Sequence, residues 1–122
     1  MPYQLSLENQ VINVVFNGHI GTEDLVALDK EIYEQWTDLN CIGHLYNYLD
    51  VQSASFSEEE IRRIALLDKN ESFIQGPLKI AIVVEDENII RFSRIYIEGL
   101  TGSDWQAEIF ADCSTAMNFL LD

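Results

Sequence analysis

The segment "LKIAIVV", residues 78–84, decides the fold of this chain. Six of its seven residues are apolar, and the turn residues Gly76-Pro77 precede it directly. A short continuous apolar run behind a chain break is typical of a parallel strand that is covered on both faces. The segment therefore predicts an interior strand of a sheet, with Ile80 and Ile82 buried.

The sequence on either side alternates between strand and helix patterns. Alternating apolar residues over 3–8 and the run "VINVVF" (11–16) predict an N-terminal hairpin with its turn at Asn9-Gln10. Further strands are predicted at "HLYNYLD" (44–50) and "AEIF" (107–110), and four helices fill the segments between and after the later strands. We predict an α/β fold: one mixed, mostly parallel five-stranded sheet with an antiparallel N-terminal hairpin and four helices, in a single domain over residues 1–122.

Helical periodicity and capping residues predict which side of each helix faces inward. Thr22 is predicted to cap the first helix, ahead of Glu23-Asp24. The second helix is predicted to bury four apolar residues, Ile61, Ile64, Ala65 and Leu67. In the third helix, over residues 87–100, Ile95 falls among arginines and is predicted to face outward. An outward Ile95 would be an ordinary exposed hydrophobe or part of a contact surface.

Charge and composition exclude several classes of function. The 122 residues carry 21 acidic and 7 basic side chains, a net charge of −14, so we predict that the protein binds no nucleic acid. No apolar run approaches the roughly 20 residues that span a bilayer, and "MPYQLSLENQ" lacks the features of a signal peptide. We therefore predict a cytoplasmic location. The two cysteines and two histidines fit no metal spacing, and we predict no metal and no cofactor.

Three longer segments carry a resemblance to a known family. They are "GHIGTEDLVALDKEIYE", "LKIAIVVEDE" and "WQAEIFADCSTAMNFLL". Together with the order of elements, they resemble the SpoIIAA-like group of bacterial domains, which includes the STAS and CRAL-TRIO-like α/β domains. The resemblance implies their fold over essentially the whole chain. It does not fix a function, since one fold serves many.

The STAS resemblance draws attention to the serines of "DVQSASFSEEE", residues 50–60. STAS anti-sigma factor antagonists are switched by phosphorylation at the start of the helix after the third strand, so the resemblance makes Ser53, Ser55 and Ser57 candidate regulatory serines. This sequence lacks the Asp-Ser pair and the glycine of that motif. Ser57 with Glu60 also forms a capping box, which predicts a structural role for Ser57 as a helix cap.

The CRAL-TRIO-like resemblance implies a ligand held between the sheet and mobile helices. We predict an apolar pocket beneath the third helix, whose C-terminal glycines, Gly99 and Gly102, would act as hinges. Its predicted lining residues are Tyr48, Phe73, Ile89, Phe92 and Tyr96. The occupant would be a lipid or another small apolar molecule, which could include association with a membrane.

Two classes of function remain after these exclusions. The first is a non-catalytic regulatory or adaptor domain that acts through protein–protein contacts, including a homodimer formed through an apolar patch and contact with a protein partner. The alternative is the binding module for a lipid-like or small apolar ligand. No catalytic residue is predicted, because the sequence contains neither a phosphate-binding glycine loop nor a G-x-S-x-G elbow. A cleft holding two carboxyl groups with raised pKa values would instead favour an enzyme.

Overall fold

A computed structural model describes residues 2–36 and 41–122 of the chain; Met1 and residues 37–40, within the predicted domain, lie outside the described residues. Five strands and four α-helices follow one another along the described chain. They are β1 (Tyr3–Glu8), β2 (Val11–Gly21), α1 (Thr22–Glu31), β3 (Gly43–Ser55), α2 (Glu58–Gln75), β4 (Leu78–Val83), α3 (Glu87–Gly99), β5 (Trp105–Phe110) and α4 (Cys113–Leu121). A π-helical turn, Ile32–Trp36, continues α1.

The strands form one sheet in the order β1-β2-β3-β4-β5. β1 and β2 pair antiparallel, and every other pair is parallel. The hairpin turn places Asn9 and Gln10 at positive φ, as a two-residue turn between twisted strands requires. Because β4 lies between β3 and β5 and fully buries Ile80 and nearly all of Ile82, the predicted interior strand and the predicted fold are both confirmed.

Helices cover both faces of the sheet. α4 packs Ala116 and Leu120 on one face, where Leu45, Ala81 and Val83 point. The opposite face carries two clusters: α1 packs on β2 around Phe16, and α3 packs on β4 around Ile82. Successive residues along β3 and along β4 therefore point to opposite faces of the sheet, and both faces are covered by helices. This explains why apolar and polar residues do not alternate in β4.

α2 lies against both α1 and α3, and this position corrects two predicted faces. Ile61 and Ile64 of α2 pack with Phe92 and Ile95 of α3, so the predicted outward position of Ile95 is wrong. Leu67, predicted to be inward, is 60% exposed. A helix that touches another helix as well as the sheet has a wider buried face than the sheet-facing stripe alone, and that face includes Ile95.

The structure also bears on two local predictions, the cap of the first helix and the role of the glycines at the end of the third. The first helix is capped at Gly21, whose amide donates to Asp24 Oδ2 at 2.8 Å, and Thr22 is its first helical residue. Gly99 is the last residue of α3 and does not lie at a positive φ, whereas Gly102 has a φ of 88°; their role as hinges stays a prediction. A Cβ at Gly99 would lie 2.5 Å from the Cβ of Ala65, so glycine here allows α2 and α3 to approach closely.

Candidate functional site

A small cavity lies between the sheet and the helices α1, α2 and α3. Its volume is about 60 Å³. Four of the five predicted pocket residues line it: Tyr48, Ile89, Phe92 and Tyr96. Phe16, Tyr46, Phe56, Ile61, Ile64 and Ile82 complete most of its apolar wall. The prediction for Phe73 is wrong, because its side chain is 58% exposed on the outer side of α2, while the fully buried Ser72 faces inward.

The volume of the cavity limits what the closed structure can hold. A water molecule needs about 10–15 Å³ of such space, so the cavity has room for only a few waters. Pockets for drug-sized molecules span roughly 300–1,000 Å³. A fatty acid would therefore require α1, α2 or α3 to move away from the sheet.

Two carboxyl groups project into this otherwise apolar region. Asp29 comes from α1 and Asp68 from α2, and the two side chains are hydrogen-bonded to each other. Asp68 Oδ2 also accepts a hydrogen bond of 2.6 Å from the Tyr96 hydroxyl. Because a carboxyl–carboxyl hydrogen bond requires a proton, Asp29 and Asp68 share a proton between them.

Burial controls the protonation of the pair. Desolvation, followed by the charge of Asp68 and their hydrogen bond, raises the pKa of Asp29 well above its ordinary value. Desolvation also raises the pKa of Asp68, although the hydrogen bonds from Tyr96 and Asp29 act in the opposite direction. The pair therefore holds a shared proton at pH values where exposed aspartates are ionised.

The tyrosine and histidine side chains around the pair are neutral near pH 7. Burial, reinforced by the charges of the aspartates, raises the pKa of Tyr46, Tyr48 and Tyr96 well above that of an exposed tyrosine. Burial lowers the pKa of His44 to about 4, and His44 Nδ1 lies 3.0 Å from the Tyr46 hydroxyl oxygen. The site thus surrounds one anionic carboxyl pair with uncharged aromatic side chains.

A surface groove reaches the same carboxyl pair from outside. It has a volume of about 310 Å³ and runs between α1 and α2. Asp29, Tyr46, Ile64 and Asp68 line both the groove and the inner cavity, so the pair lies at the boundary between them. Tyr33, His44, Leu67 and Trp105 also line the groove. Both aspartates are half-buried, which makes them accessible from the groove while most of their surface remains desolvated.

The predicted serines lie together at one end of the sheet. Ser53 and Ser55 belong to β3, which is longer than predicted, and the Ser53 hydroxyl lies 2.7 Å from His19 Nδ1. Ser57 is the N-cap of α2, where its hydroxyl accepts from the Glu60 amide at 3.3 Å. A phosphate on Ser57 would replace this cap and would face the acidic first turn of α2, Glu58 to Glu60.

The carboxyl pair was missed by the sequence reasoning. Asp29 follows Leu25 by four residues, and Asp68 follows Ile64 by four, so each aspartate continues the apolar stripe of its helix. An acidic residue in a buried stripe is the signal that could have identified each of them. Their pairing could not be predicted, because it depends on the packing of α1 against α2.

Neither metal binding nor a membrane-spanning helix is supported within the described part of the chain. No group of three or more histidine, cysteine, aspartate or glutamate side chains in it could hold a metal ion. Among the residues with described structure, no helix is both long enough and apolar enough to cross a membrane.

The fold and the site define an α/β domain with an antiparallel edge hairpin and a buried acidic pair beneath its helices. No family model and no curated protein matches the sequence. A solved structure that is similar is that of an uncharacterized protein from the DUF3478 family, with a SpoIIAA-like fold, from Shewanella loihica PV-4. The similarity has a TM-score of 0.58 and 12% identity, and covers 97% of this chain and 91% of the other. The particular fold is therefore SpoIIAA-like, which confirms the predicted resemblance at the level of the fold.

Proposed function

We propose that this protein is a non-catalytic interaction domain and that the outer side of α2 is its contact surface. The observation that supports this role is a patch of large apolar side chains on the C-terminal half of α2. Leu66 is 57% exposed, Leu67 60%, Phe73 58% and Ile74 80%. Contiguous exposed apolar surface of this kind marks interaction sites in soluble proteins more often than it occurs without a role.

The occupant of this patch is proposed to be a second copy of the chain. A symmetric antiparallel pairing of two α2 helices about Asn70 would bring Leu66 of one copy onto Ile74 of the other, and Leu67 onto Phe73. Charge opposes contact through the patch only weakly, because residues 66–75 of α2 carry Lys69 against Asp68 and Glu71, a net charge of −1 in a protein whose net charge is −14. Two copies meeting through α2 would therefore repel each other less than through a uniformly acidic face.

Replacement of Ile74 by glutamate is expected to weaken self-association by at least about 100-fold, the effect of a charge in the apolar centre of an interface. Sedimentation velocity over a concentration series would measure the change. Leu121→Glu is the matched control, because Leu121 is 49% exposed on α4 and lies outside the patch. A wild-type protein that stays monomeric at high concentration, or an Ile74→Glu variant that associates like the wild type, would reject the proposed contact.

A binding module for a small apolar ligand is the second candidate, and the aromatic lining of the inner cavity favours it. The ligand would enter by displacing α3 from the sheet, since the closed cavity is too small for a lipid. The close contact between Gly99 and Ala65 opposes this movement, because it fixes α3 against α2. This candidate therefore requires an open state in which α3 is detached.

Hydrogen exchange would test for that open state. If it forms, amides of residues 87–102 are expected to exchange faster than those of β4, and addition of oleate is expected to slow exchange in residues 87–102 selectively. The exchange of α4, which packs on the opposite face of the sheet, provides the internal control. Equal protection of α3 and β4 with no response to oleate would eliminate the lipid-binding candidate.

Two carboxyl groups with raised pKa values, such as those of Asp29 and Asp68, also occur in general acid–base enzymes. The cavity beyond them is too small for a substrate of ordinary size. Ser93 lines that cavity, but its hydroxyl forms no hydrogen bond to a base within residues 2–36 and 41–122. These features support a binding role for the pair.

A further inference from the structure

We propose that the groove between α1 and α2 binds an aliphatic ammonium ion, with its charged head against Asp29 and Asp68 and its stem along the apolar wall of the groove. This site is separate from the α2 patch proposed for self-association, although Leu67 borders both.

The first observation is the lack of a cationic partner for the two aspartates. The ion pairs formed by lysine or arginine within the described residues involve Arg62 and Arg91, both with Glu58. Within that same part of the chain, no lysine or arginine forms an ion pair with Asp29 or Asp68. Desolvated carboxyl groups are ordinarily paired with a cation, and here a proton occupies that position. A ligand cation can take the place of the proton.

The second observation is an unused hydroxyl group in the same space. Tyr48 lines the inner cavity together with Asp29 and Asp68. Its ring stacks on Phe16 with centroids 4.4 Å apart, but its hydroxyl has no hydrogen-bond partner in the described part of the protein. The hydroxyl oxygen is not fully buried, so a donor from a ligand can reach it. An ammonium group at the boundary of groove and cavity supplies N–H donors to Tyr48 as well as to the aspartates.

The shape and lining of the groove select the rest of the ligand. A volume of about 310 Å³ admits a chain of several carbons, and the groove leads directly to the pair. Tyr46 and Trp105 offer aromatic surface, which attracts cations through their π faces. An ammonium group on an apolar stem matches this combination better than a metal ion, for which the described residues provide no cluster.

The charges facing the pair determine how binding should depend on pH. Lys30 and Glu71 lie on the groove wall with opposite charges, while His44 and the tyrosines are neutral near pH 7. The proton shared by Asp29 and Asp68 is therefore the charge that an entering ammonium must displace. Binding should release a proton and strengthen as the pH rises, because a higher pH makes that proton easier to remove.

Calorimetric titration with hexylamine would test the proposal on the wild-type protein. We expect saturable binding that is at least about 10-fold tighter than that of hexanol, a ratio equal to about 1.4 kcal/mol. The heat should differ between buffers of different ionisation enthalpy, since a proton is released. A blocked Gly-Lys-Gly peptide in a parallel titration distinguishes a lysine side chain from a free amine as the source of the ammonium group. Equal affinities for hexylamine and hexanol, or no binding of any of the three probes, would overturn the proposal.

Variants separate the two aspartates. Asp68→Asn should weaken hexylamine binding at least about 10-fold, because it removes one carboxyl group of the pair, the one that accepts from the Tyr96 hydroxyl. Asp29→Asn should weaken binding and reduce the dependence on buffer ionisation, because the pair that shares the proton is no longer present. Glu59→Gln, on the exposed first turn of α2, is the matched control and should leave binding unchanged. If Asp68→Asn is folded by circular dichroism and binds hexylamine like the wild type, the site assignment is wrong.

Discussion

Replacement of Phe16 by alanine is expected to lower the free energy of unfolding by about 3–5 kcal/mol, the cost of removing a buried aromatic ring. Phe16 is fully buried on β2. Its ring stacks on Tyr48 and meets Tyr3 edge-on, with centroids 6.2 Å apart. Because the ring joins the α1 cluster to the cavity wall, the neighbouring side chains cannot collapse into the vacated space without losing other contacts.

The same substitution should enlarge the inner cavity, since Phe16 forms part of its wall. Chemical denaturation would measure the loss of stability, and Leu121→Ala, at a half-exposed position of α4, should cost far less. Indole should then raise the melting temperature of Phe16→Ala but not that of the wild type, because an apolar cavity of sufficient size binds an apolar ring. A loss below about 1 kcal/mol would show that this part of the core is not packed as described.

The fold could be predicted because its signals are local and repeated. The run at 78–84 has no polar alternation, and that property alone requires cover on both faces of β4. The helices on each side were indicated by caps and by apolar periodicity, and the Ser57 cap is present in the structure. Each of these features depends on residues that are near one another in the sequence.

The features that the sequence did not reveal depend on contacts between helices. Ile95 is buried by α2, and Phe73 lies outside the cavity because of the way α2 is oriented about its own axis. Gly99 approaches Ala65 where α3 contacts α2. Helical periodicity gives the relative angles of residues on one helix, but it does not say how many neighbours that helix has. The pairing of Asp29 with Asp68 was hidden for the same reason, because it arises where α1 meets α2.

Between pH 6.5 and 4, His44 is expected to make the protein lose stability as the solution becomes more acidic. His44 is buried, and burial lowers its pKa from 6.5 to about 4. Over that interval the unfolded chain takes up a proton on His44 that the folded protein does not. The contribution of His44 to the free energy of unfolding therefore decreases as the pH decreases. The loss totals on the order of 3 kcal/mol, because one pKa unit corresponds to about 1.4 kcal/mol. Above pH 6.5 His44 is neutral in both states and its contribution does not change.

The carboxyl pair acts in the opposite direction, so the contribution of His44 must be measured as a difference. The raised pKa values of Asp29 and Asp68 favour the folded state at low pH, and this advantage is lost as the pH rises through their folded-state pKa values. Urea denaturation of wild type and of His44→Gln at matched pH values gives the difference in their free energies of unfolding. In that difference the contribution of the aspartates cancels to first order, provided that the pair is unchanged. The stability of the variant relative to wild type should rise by on the order of 3 kcal/mol from pH 6.5 to 4. Leu121→Ala, which replaces no titratable group and lies at a half-exposed position of α4, should follow the wild type across the same interval. If the difference between His44→Gln and wild type is constant with pH, His44 titrates in the folded protein as it does in the unfolded chain, and the neutral aromatic surroundings assigned to the site are wrong.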